Sequence, residues 1–194
     1  IEAVNTFGKE AAQKLATLES RDEELARLNA ELNSLETNLI QSGQKLSAQR
    51  QKLIPKLTKA VTSHLNDLGF AQSQLDVALS STDRPAEVKA SGLDTVEFQF
   101  APNPGEPARP LRAIASSGEL ARVMLALKTV LAAEDSIPVL IFDEVDANVG
   151  GETAHAVGER MRQIADQRQV LCITHLAPVA AAAQAHYVVS KAVI

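Results

Sequence analysis

The chain has 194 residues and 45% hydrophobic content, enough for one or two domains with a sizeable core. A net charge of −5 and a pI near 5.4 argue against a broad basic footprint for nucleic acid, and no run of about eighteen apolar residues is present to span a membrane. The single cysteine cannot form an internal disulfide, which suits a reducing cytosol; 3% aromatic residues beside abundant Ala, Leu, Glu and Gln point to a helix-rich, partly coiled-coil chain.

Taken in order, Leu25, Leu28, Leu32, Leu35 and Leu39 alternate three- and four-residue steps, and the same phase continues through Ser42, Leu46, Gln49 and Leu53. This is a heptad seam with two polar interruptions, preceded by Leu15 and Leu18 with a phase slip near Asp22. A single amphipathic helix lying on a globular core shows the same spacing. However, about fifty residues at about 1.5 Å each reach about 75 Å, longer than a lobe of this size, so the seam predicts a partner helix. Pro55 is expected to kink or end the helix, because it lacks an N–H and crowds the preceding turn. Helical spacing resumes at Leu57, Val61, Leu65 and Leu68, and Gly69 closes it. The expected organisation is a coiled-coil arm over 1–55, a junction over 56–70 and an α/β lobe over 71–194.

Within the lobe, Leu75, Val77 and Leu79 alternate, as do Val96, Phe98 and Phe100; both read as half-buried strands, separated by a polar loop over Ser80 to Gly92. Asn103-Pro104-Gly105 is a turn signal. Leu120, Val123, Met124, Leu127, Val130 and Leu131 predict an amphipathic helix starting near Ser117. Val139 to Phe142 reads as a strand buried on both faces of a parallel sheet, and Val170 to Ile173 as another apolar strand, in which Cys172 is a small buried hydrophobe. Between them a helix after Gly151 carries Ala154, Val157, Met161 and Ile164 on one face, and a last strand is expected at Tyr187 to Val189. Alternating helices and strands predict a parallel sheet with crossover helices.

Three segments carry candidate chemistry. Asp143 and Glu144 follow an apolar strand at the end where open α/β sheets bind ligands; in a nucleotide hydrolase the first acid holds Mg²⁺ and the second polarises the attacking water. Asp also ends many strands simply because it caps the next turn. Ser116, Ser117, Gly118 and Glu119 open a helix whose free N–H groups and positive dipole end suit a phosphate, while Ser116 with Glu119 also fits an ordinary capping box. Thr174 and His175 end the later strand, where a histidine is more often structural than catalytic.

The order and gaps of these segments are more specific than any one alone. The chain resembles the second half of an ABC-type ATPase head, in the SMC-related branch, and most closely the RecN family of bacterial DNA-repair proteins. Ala115 to Glu119 resembles the signature motif, with Leu120-Ala121-Arg122 continuing the pattern; Val139 to Glu144 resembles Walker B; Asp146, Ala147, Asn148 and Gly150 lie at the D-loop; His175 is at the switch position. Phe100 to Pro107 resembles a segment just upstream of the signature, and the likeness runs from about Leu15 to the end. Ser117 stands where the family usually has Gly, and Gly150 where many members have Asp.

The resemblance implies ATP and Mg²⁺ as cofactors, with Asp143 on the metal, Glu144 as general base and His175 at the γ-phosphate or the attacking water. It implies a homodimer through heads, with Ser116 to Glu119 of one head facing nucleotide on the other, coupled to DNA double-strand break repair in the cytoplasm, on the nucleoid. No Gly-x-x-x-x-Gly-Lys-Ser/Thr occurs, and the chain begins with Ile1. The expectation is a fragment, the returning arm and C-terminal lobe, inactive without an N-terminal lobe carrying the phosphate loop and an outgoing arm. A structural DNA tether that binds ATP with little turnover is the alternative; a transporter ATPase is disfavoured by the long seam and by Val145-Asp146 after the acids.

Overall fold

The computed structural model describes residues 2–190. The elements run α1 (Glu2–Asp67), β1 (Gln74–Ser81), β2 (Asp94–Ala101), β3 (Arg109–Pro110), α2 (Ser117–Val130), β4 (Val139–Phe142), α3 (Gly151–Ala165), β5 (Gln169–Cys172) and α4 (Ala177–Ala180). They divide into two compact units: residues up to Gln49 with Ser81–Asp94, and Arg50–Ser80 with the residues from Thr95 on.

In the first unit, the Leu seam of α1 stands exposed from Leu15 to Leu39, as a seam with no partner beside it must. Among the residues of α1 whose burial is described, Gly43 is the first buried one, because Leu93 packs against its bare Cα: a Cβ there would lie 2.4 Å from Leu93 Cγ. Beside it, Asp94 Oδ1 accepts from Ser47 at 2.7 Å and from Ser81 at 2.6 Å, so the carboxylate is buried with its charge satisfied.

The second unit holds the core. α1 does not end at Pro55; it continues to Asp67, since proline's φ is helical and its missing N–H removes only one ladder bond. Val61, Leu65 and Leu68 are fully buried. The helix stops where Gly69 takes φ +90° and Phe70 N–H donates back to Leu65 O at 3.0 Å, a Schellman closure in which Phe70 and Leu65 both enter the core. Phe70 then meets Phe100 edge-on, centroids 5.2 Å apart.

Two sheets flank this core. β1, β2 and β3 form one in that order, with β2 and β3 antiparallel, and Asn103 to Glu106 turn with Gly105 at φ +82° as a Pro-Gly turn requires. β4 and β5 pair in parallel, Val139 opposite Gln169 and Phe142 opposite Cys172, joined through α3. The fold is therefore α/β, with a long N-terminal helix and a parallel pair joined by a crossover helix. On α3 the predicted face, Ala154, Val157, Met161 and Ile164, is buried.

Three further expectations are corrected. β4 is covered on one face only: Leu140 and Phe142 are buried, while Val139 and Ile141 are 39% and 67% exposed, as are Leu171 and Ile173 alongside at 44% and 62%. Helices cover one face of the strand pair, and no described element covers the other. On α2 the buried face takes Arg122 and Leu125 with Val123, Ala126 and Leu127, and leaves Met124 and Leu131 outside. Tyr187 to Val189 is not a strand; it has no ladder partner among the described residues and is almost wholly exposed.

Candidate functional site

The parallel pairing fixes the site. Ile173 N–H donates to Phe142 O at 3.0 Å, continuing the ladder to the strand ends, so the residues after Phe142 emerge beside those after Cys172. From there the chain does not enter a helix directly. Glu144 has φ +56° and Asn148 φ +58°, left-handed conformations that side-chain-bearing residues rarely adopt and that cost about 1–2 kcal/mol each. Between them Ala147 N–H turns back to Glu144 O at 3.0 Å, and α3 starts at Gly151.

Several groups hold this loop. Val145 is fully buried and Asp146 nearly so. Arg122 of α2 donates to Ala147 O at 3.0 Å and Val145 O at 3.5 Å, with its guanidinium 5.1 Å from the Phe70 ring centroid. Burial pulls that guanidinium below its ordinary pKa, against the opposing influence of Glu119. Gly118 lets α2 approach: a Cβ there would stand 2.9 Å from Ala147 Cβ and 3.1 Å from Glu144 O. Thr174 donates its hydroxyl to the Asp146 carboxylate and accepts from Leu176 N–H at 3.0 Å.

The expected site residues gather around this loop. Ser116 caps α2 by accepting from Glu119 N–H at 3.4 Å, the capping box's first half. Ser117 is exposed and donates its hydroxyl to the Glu144 carboxylate. His175 Nδ1 lies 3.7 Å from Asp146 Oδ2, so its recorded partner is the buried acid of the loop rather than Glu144. Asp143 is exposed beside the loop, as are Asn148 and Gly150. Half-buried Cys172 has its thiol pushed up to about 11 by burial, then by Asp146 and Asp143. Among the described residues no cluster of three His, Cys, Asp or Glu side chains forms a protein-only metal cage. Two residues that hold the loop, Arg122 and Thr174, carry no role in the sequence reading. The signals for them are an Arg inside an apolar helical stripe, within a run that resembles the family pattern, and a Thr beside His175.

No family model matches this chain. The DNA repair protein RecN of Deinococcus radiodurans is 43% identical over 193 residues, covering 100% of this chain, and that of Treponema pallidum is 41% identical over 184 residues, covering 93%. By sequence, the chain belongs to the RecN family. It spans about a third of those relatives, 33% and 32% of their lengths. The fold of this RecN-family chain is also that of a solved Smc head domain with a coiled coil and joint from Pyrococcus yayanosii, with a TM-score of 0.50 at 20% identity over 66% of this chain and 23% of that one. No described helix of the RecN-family chain is long and apolar enough to cross a membrane.

Proposed function

We propose that this chain is the C-terminal part of an SMC-like ATPase of the RecN kind, acting in DNA double-strand break repair. The observation that carries the reading is the convergence of the α2 N-terminus, the Glu144–Gly150 loop and the Thr174-His175 pair in one accessible place. Residues 1–55 are the returning arm, 56–70 the junction and 71–194 the lobe. An N-terminal lobe with the phosphate loop and an outgoing arm complete the head, and two heads enclose ATP. Ser116 to Glu119 face the phosphate held by the partner head, and Asp146, Ala147, Asn148 and Gly150 form the loop that meets it. DNA is the cargo, and the protein works in the cytoplasm, on the nucleoid.

Phosphoryl transfer needs mostly positioning and charge stabilisation, so parts supplied by two molecules suffice. Mg²⁺ binds through one or two carboxylates, waters and substrate phosphates, and exposed Asp143 fits as that single protein ligand. When bound, the ion neutralises phosphate charge. Glu144 accepts the proton of the attacking water, and His175, backed by Asp146, donates toward the γ-phosphate or orders that water.

In the complete protein, Glu144→Gln should keep ATP binding and lower turnover by about 10²- to 10⁴-fold, the contribution of a positioned base. ATP binding and steady-state hydrolysis, measured with and without DNA, check this; near-normal turnover rejects the assignment. The Ser117–Glu144 contact favours one second reading, a DNA tether that binds ATP and scarcely hydrolyses it, for which wild-type turnover itself would be minimal with and without DNA.

A further inference from the structure

Ser117 is the first residue of α2, and the side chain touching its hydroxyl is the carboxylate of Glu144. That carboxylate therefore stands at the positive end of the helix dipole, where an anion is favoured. The backbone of Glu144 is left-handed at φ +56°, and its carbonyl oxygen stands 3.1 Å from where a Cβ on Gly118 would lie. The chain's own acid thus engages the hydroxyl that the proposed function turns toward a phosphate of the partner head.

We propose that Ser117 is a positioning residue that latches Glu144 in the unpaired head, so that phosphate engagement and release of the base are one event. The inference rests on the ATPase reading above. A serine hydroxyl has one proton to donate, and it goes either to Glu144 or to an incoming phosphate oxygen. The two acceptors serve different nucleotides. Ser117 faces the ATP of the partner head, and Glu144 serves the ATP of its own. Nucleotide on one head draws Ser117 away and frees Glu144 for the other, which couples turnover at the two sites. Glycine at this position has no hydroxyl with which to form the latch.

The test is ATP-dependent turnover of the full-length dimer. Wild type should rise sigmoidally with ATP. Ser117→Ala and Ser117→Gly should approach a hyperbolic curve with turnover at low ATP raised by about threefold or more, the scale of one exposed charge-assisted hydrogen bond. Ser117→Thr, which keeps a hydroxyl, should restore the sigmoid; a helix packing role alone would not distinguish these variants by cooperativity. An unchanged curve, or a plain fall in turnover, for Ser117→Ala overturns the latch. Glu144→Gln, measured in parallel, separates the two ideas: near-normal turnover there overturns both, whereas stalled turnover with an unaltered sigmoid in Ser117→Ala overturns the latch alone.

Discussion

The two ends of α1 carry the same apolar spacing and opposite fates. Leu25, Leu28, Leu32, Leu35 and Leu39 stand in solvent, whereas Val61, Leu65 and Leu68 have no accessible surface. Periodicity reports that a helix has an apolar stripe; it does not say what covers the stripe. Near Phe70 the cover is the lobe's own core. Along the arm the leucines have no cover among the described residues, and a long row of exposed leucines favours association.

The sharpest way to break this contrast is truncation at each end. Leu65→Ala should destabilise the chain by about 2–5 kcal/mol in denaturant unfolding, by lost burial plus the cavity left behind. Leu32→Ala should change the same midpoint by less than about 0.5 kcal/mol, as at other exposed sites. Equal losses would mean that the arm seam is already covered within this chain.

The boundary between the two regimes is Gly43. On an open helix Gly→Ala gains about 1 kcal/mol, but here the new methyl collides with Leu93. Gly43→Ala should therefore give no gain by thermal unfolding, and the gain of about 1 kcal/mol should reappear when Leu93→Ala removes the obstacle. Additive behaviour of the two substitutions would show that the contact does not restrain the arm.

The smallest effect sharpens the buried end. His64 is half-buried, its Nδ1 has no hydrogen-bond partner, and burial, aided by Arg160, lowers its pKa from the ordinary 6.5 against the raising influence of Asp67. The unfolded chain then binds the proton more readily than the folded one. The stability contributed by neutral His64 is present above pH 6.5 and is lost as pH falls through the lowered folded value. Unfolding midpoints measured between about pH 7.5 and 5 should drop more steeply for wild type than for His64→Gln. Parallel curves would count against a desolvated histidine at this end of α1.

The same contrast explains what could be read from the chain. The α3 face was legible because its burial is one-sided and complete within the lobe, and the Ser116 cap because capping is local. β4 was misjudged because an apolar run looks the same whether its second face is covered or bare. Of the kink or end expected at Pro55, the end does not occur, because one missing donor is a local cost that a long helix absorbs. Around the candidate site, the residue types at strand and helix ends were visible, but their partners were not. That Arg122 reaches two carbonyls of the loop, that Thr174 holds Asp146, and that Ser117 faces Glu144 are contacts between segments distant in the chain, and no short-range pattern encodes them.

The stop of α1 has a mechanical corollary. Its final turn delivers Phe70 beneath the Arg122 guanidinium, and the same guanidinium grips the carbonyls of Val145 and Ala147. One guanidinium thus bears on both the stop of α1 and the loop after β4, so a change of ring at Phe70 reaches that loop through a cation–π contact.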